Sequence, residues 1–233
     1  MVTLRSVPVL VGLSACIGVC ALAQPSGDAA APAVVPLNEQ RIAGVIPDYQ
    51  TVRDSQGPVA PLTPRQKWLL GWKESVDPFN IASAAMTAGF AQAGNQTPRY
   101  GEGTSRYGER FGAAMADFDS QNVFSAGIFA NLLHQDPRYF RKGPASGFFS
   151  RAAYSVSRLA IARQDTGKSA FNGSNIFGII LGIAASNAYY PAASRNGSVM
   201  AGRFGTSMMG GAIGNLMSEF WPDVQKKLFH PKK

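Results

Sequence analysis

The chain has 233 residues, with 22 Lys and Arg against 14 Asp and Glu and a net charge of +8 at neutral pH. Its two Cys, Cys16 and Cys20, both fall in the first apolar segment, and there are two His in all. Past that segment there is no thiol for nucleophilic chemistry, disulfides or metal binding, and a histidine metal centre has almost no ligands to draw on, so neither a metal nor a cofactor is expected.

Residues 1–23 read as a secretory signal. Arg5 is the single charge of a short leading region, an apolar run follows from Val7 to Leu22, and Ala21 to Ala23 form an A-x-A cleavage site before Gln24. The run is shorter than the ~20 residues that span a bilayer and is interrupted by Pro8, Gly12 and Gly18. A second reading takes Leu13 to Cys16 as a lipobox, with Cys16 acylated. Either way the protein is expected to be exported, to the periplasm or the outer membrane. A basic exported chain points to anionic lipid, lipopolysaccharide or wall polymer as partner, and not to nucleic acid.

Residues 24–63 are rich in Pro and Ala and are expected to be a flexible linker, since Pro at that density blocks helix and ladder alike. Within it, residues 41–49 are apolar enough either to lie against the body or to remain plain linker. Residues 64–233 then read as one helical domain. Thr63 and Pro64 open a first helix to about Val76, and Asp77 and Pro78 open a second to about Ala93. A third is expected from Ser105 to Leu133, with a break near Asp119 and Ser120. A fourth covers 147–163, a fifth 174–189, and a sixth 197–229 with a kink at Pro222. The fold expected is an all-α, single-domain bundle of about six small-residue-rich helices behind a disordered Pro-rich tether.

The most regular pattern is a spacing of four. Ser198, Gly202, Thr206, Gly210, Gly214 and Ser218 share one face of the sixth helix, and Ser174, Gly178, Gly182 and Ser186 one face of the fifth. Gly costs up to about 1 kcal/mol inside a helix relative to Ala, so repeated Gly implies close packing in return. The two grooves are expected to line helix contacts, facing each other. A second pattern, Phe90 with residues 96–100, echoes 39 residues later at Phe129 and residues 135–139.

Residues 162–169 satisfy a loose Walker A pattern, but Ala162 replaces its first Gly and a helix, not a strand, is expected before it, so no nucleotide is expected to bind. His134 and Asp136 read as helix-terminal residues and not as an acid–base pair. On the fourth helix Arg151, Tyr154 and Arg158 share a face, with Arg138 and Arg141 close by in sequence. They form either an anionic-ligand face, since the guanidinium fork fits phosphate and carboxylate, or ion pairs with Glu109, Asp117 or Asp119 of the third helix. No catalytic residue is indicated. The basic, amphipathic end from Phe220 to Phe229 reads as closing the bundle.

The strings GVIP at 44–47, YGxxFGA at 107–113, LLHQDPRYFR at 132–141, YYP at 189–191 and EFWPD at 219–223 resemble a family of exported, uncharacterised bacterial proteins. The resemblance implies export and no site. The function expected is a non-enzymatic envelope component that packs against, or rests on, an anionic membrane surface. Two alternatives stand beside it. One is a cell-wall or lipid hydrolase acting through carboxylates such as Glu109 and Asp117, the other a bundle holding a lipid-like ligand.

Overall fold

The computed structural model describes residues 41–52 and 59–229. The signal, the lipobox and residues 24–40 and 53–58 of the expected linker lie outside the described residues.

The fold is all-α, a bundle of helices stitched by strands of two to four residues. Helix α1 (Pro64–Ser75) begins on a capping box, in which the Thr63 hydroxyl accepts from Gln66 N and the Gln66 side chain accepts from Thr63 N. Helix α2 (Pro78–Ala93) begins on Asp77, whose carboxylate accepts from Phe79 N at 2.9 Å. Both starts match the sequence reading to the residue. Helix α3 (Thr104–Asn122) continues without a gap into a π-helical stretch, Val123–Phe129, and a last turn, α4 (Ala130–Leu132). The irregularity expected near Asp119 therefore falls one turn later, beside Gly127, where a Cβ would lie 2.7 Å from the Trp68 ring.

Helix α5 (Phe148–Ser157) is shorter than expected. The sequence predicts helix to Arg163, but the chain turns at 158–160 and enters strand β6 (Ile161–Gln164), which pairs antiparallel with β7 (Ser169–Phe171) and with β4 (Gln135–Asp136). The reason is tertiary. Buried Lys67 holds the hairpin loop through Asp165 at 2.8 Å, and Gln135 bridges Phe171 O and Ser174 N. Helix α6 (Gly173–Ala185) ends in a 3-10 turn, and α7 (Gly197–Phe229) runs unbroken past Pro222.

Residues 41–52 are folded onto this body. Strands β1 (Arg41–Ile42) and β2 (Ile46–Pro47) form a small hairpin, and β3 (Thr51–Val52) pairs in parallel with β5 (Tyr139–Phe140). Ile42 is buried and Arg41 reaches Asp77 at 2.6 Å.

The two small-residue grooves do not face each other. That of α6 packs on α3 and the π-helical stretch: a Cβ on Gly178 would lie 2.5 Å from Ser125 Cβ, and one on Gly182 2.6 Å from Gln121 Cγ. On α7 a Cβ at Gly202, Gly210 or Gly214 would meet nothing within 4 Å, so that stripe faces outward.

The interior is unusual in what it holds. Among the described residues no Leu, Phe, Met, Val or Trp is buried, and the buried apolar set is mostly Ala with Ile42, Ile179, Ile183, Tyr139 and Tyr190. Lys67, Arg110, Arg151 and Glu219 are buried instead. Helix α1 shows the inversion plainly. It buries Lys67, Gly71 and Ser75, four residues apart, and exposes Trp68, Leu69 and Trp72.

Candidate functional site

The face expected to bind anions is built around a carboxylate already inside it. Glu219 on α7 is 0% exposed. One oxygen accepts from the Tyr139 hydroxyl at 2.8 Å and Lys142 N at 2.9 Å, the other from Gly143 N at 3.0 Å and Arg151 Nε at 2.7 Å. One turn on, Asp223 accepts from Arg141 and makes an ion pair with Arg151, each at 2.6 Å. The Glu219 carbonyl takes the remaining reach of both arginines at 2.7 Å. Burial works against the Glu219 charge, but Arg151, the Lys142 amide, the Tyr139 hydroxyl and the Gly143 amide outweigh it and hold this carboxyl below the usual range. Asp223 is likewise held down against burial by Arg141 and Arg151.

Arg151 and Arg141 are thus structural, joining α5 and the β5 loop to α7, and their partners are not on α3. Arg138 pairs with Asp136 at 2.6 Å, whose carboxylate also accepts from Arg138 N. Asp136 ends a short strand and caps this turn; no helix starts there. His134 follows the last helical turn at φ +50°. The carboxylates suggested for hydrolysis are also engaged. Glu109 pairs with Arg106 at 2.7 Å. Asp117 accepts from Tyr189, Tyr190 and Arg203 at 2.5 to 2.7 Å. The signal that could have found the Glu219 cluster is the i, i+4 spacing of Glu219 and Asp223, two acids on one turn of a largely charge-free helix.

Tyr154 and Arg158 have a different position, on the wall of a cavity of about 550 Å³. Arg138, Arg163, Ser174, Asn175 and Asn215 also line it, as do Glu74, Asn122 and Ser125. The Tyr154 hydroxyl donates to the Phe140 backbone carbonyl at 2.8 Å, which anchors the Tyr154 ring to strand β5. Arg158 stacks on Tyr154, 4.6 Å from its centroid, and Arg163 on Phe140 at 4.4 Å. Neither of these two guanidiniums has a carboxylate partner among the described residues. The Glu74 carboxyl makes no hydrogen bond or ion pair among them either; burial pushes it up to about 8, with Asp77 adding and Lys73 opposing. The Walker-like segment is the β6–β7 hairpin. Gly167 turns it at φ +84°, and Ser169 opens a strand where a phosphate loop would open a helix.

The outer surface is the third feature. Trp72 is 64% and Leu132 68% exposed, with Trp68, Leu69, Ile128, Phe171, Phe177, Ile180 and Leu181 also open. Trp68 lies against Gly127, Phe129 against Phe177 at 5.7 Å, and Phe177 against Phe171 at 6.4 Å. Helices α1 and α6 with the π-helical stretch between them therefore form one apolar band. Residues 78–98, 120–135, 169–194 and 204–218 contain no Asp, Glu, Lys or Arg. No described helix is long and apolar enough to cross a membrane, and no group of His, Cys, Asp and Glu suited to a metal occurs among the described residues.

No family model matches this chain, and neither a curated protein nor a solved structure matches it.

Proposed function

We propose that this protein is a non-enzymatic component of the cell envelope that beds its apolar band into the surface of an anionic membrane, with lipid or lipopolysaccharide as partner. The observation that carries the reading is the inverted polarity: Lys67, Arg151 and Glu219 inside, Trp68, Trp72, Phe177 and Leu181 outside. Water penalises that arrangement and hydrocarbon rewards it. At about 25 cal/mol per Å² of apolar surface removed from water, several large side chains seated together make an attachment of several kcal/mol.

The geometry fits one leaflet and not a span. The 13 residues of α6 make a rod of about 20 Å, against a hydrocarbon core of about 30 Å. Indole rings such as Trp68 and Trp72 favour the interface, where one edge is apolar and the other wet. The net charge of +8 favours an anionic surface over a neutral one.

Flotation with vesicles of phosphatidylglycerol and phosphatidylethanolamine tests this. The full chain is expected to float with them, and a Leu69→Glu/Leu181→Glu variant, altered only at exposed positions, to stay at the bottom with unchanged circular dichroism. A parent chain that fails to float would overturn the reading, as would a dimer in solution that covers the band with a second copy.

A further inference from the structure

We infer that the cavity behind Arg158 and Arg163 is a binding site for a phosphate group carried on a small, hydroxyl-rich body. A concave site of about 550 Å³ is within the size range of ligand pockets. Its wall holds Arg138, Arg158 and Arg163, and only the first is neutralised, by Asp136. The other two guanidiniums stack on the Tyr154 and Phe140 rings, and stacking orients a guanidinium without cancelling its charge. Two positive charges on the wall of one cavity match the two negative charges of a phosphomonoester better than the one of a carboxylate.

The hydrogen-bond inventory agrees. Arg158 Nε and Asn122 Nδ2 are buried polar atoms with no partner among the described residues, and both residues line this cavity. Buried donors without a partner are rare in native proteins, and two of them fall in residues of this one wall. Asn215 and Asn175 donate their amides to Ser155 O and Leu159 O, each at 3.2 Å, so their side-chain oxygens remain as acceptors for hydroxyl groups. Glu74, the other acid on the wall, is mostly protonated at neutral pH and leaves the positive field in place.

Such a phosphate could belong to a lipid headgroup or to a free polyol or sugar phosphate. Calorimetric titration of the full chain, without vesicles, separates the two. The probes are glucosamine 1-phosphate, glycerol 3-phosphate, dihexanoyl phosphatidic acid, and methyl glucoside as the uncharged control. The phosphate-bearing probes are expected to bind and the control not to. Binding of the soluble sugar or polyol phosphates identifies a free ligand; binding confined to the short-chain lipid identifies a headgroup. Arg158→Gln and Arg163→Gln should each weaken binding at least about tenfold, and Arg163→Lys should weaken it less. Arg163 sits at a strand position and carries the test if the Arg158 variant fails to fold. No heat with any phosphate probe at millimolar concentration, or affinity unchanged in the Arg163→Gln variant, would overturn the assignment. The membrane reading stands or falls separately, on flotation.

Discussion

Glu219 and Glu74 show how one residue type takes opposite roles according to the donors around it. Glu219 is surrounded by four donors and ionised, so its contribution to stability is complete above the ordinary value of 4.5 and is lost as pH falls through its lowered folded value. Glu74 has no such donors. Its folded value of about 8 lies above the ordinary 4.5, so stability should decline as pH rises between those two values. Thermal melts from pH 3 to 9 should therefore show a Glu219→Gln variant destabilised by roughly 3–5 kcal/mol at neutral pH, because Arg151 is left buried without its partner. A Glu74→Gln variant should instead lose that decline between pH 4.5 and about 8 and melt no lower than the parent at pH 8. A Glu219→Gln variant as stable as the parent would mean that Asp223 alone neutralises Arg151.

At the scale of elements, the glycines of α6 and α7 look alike in sequence and differ in space. A methyl at Gly178 would press on Ser125 backbone atoms at 2.7 and 2.8 Å, while one at Gly210 or Gly214 meets nothing. Gly178→Ala should cost about 1–3 kcal/mol by overpacking, whereas Gly210→Ala and Gly214→Ala should leave stability unchanged or raise it by up to about 1 kcal/mol through helix propensity. Denaturant unfolding of the three variants decides this, and equal losses at all three would put α7 in a packed interface. The same contrast explains what the sequence could tell. Caps at Thr63 and Asp77 are local, so the starts of α1 and α2 are legible to the residue. Strands of two residues have no period to read. The β6–β7 hairpin is held by Gln135 and Lys67, far away in the chain, so residues 161–163 read locally as the end of a helix. Spacing likewise found that Arg151, Tyr154 and Arg158 share a face, but not that Glu219 and Asp223 would claim Arg151 and leave Arg158 to the cavity.

For the whole molecule, periodicity defines two faces on each helix without stating which one is inside. On α1 the rows Lys67-Gly71-Ser75 and Trp68-Trp72-Val76 are both plain in the sequence, and ordinary burial preferences would turn the second row inward. The fold does the reverse, an arrangement that the proposed seat on a lipid surface would explain. Tryptophan fluorescence tests that proposal most directly, because two of the three Trp, Trp68 and Trp72, lie in the exposed band. The measurement uses a Trp221→Phe chain, which leaves those two as the only reporters, mixed with anionic vesicles whose acyl chains are brominated near the headgroup or near the bilayer centre. A band seated in the interface should give a blue shift and strong quenching by the shallow bromines, with much weaker quenching by the deep ones. Emission that neither shifts nor quenches in the presence of either vesicle would contradict it.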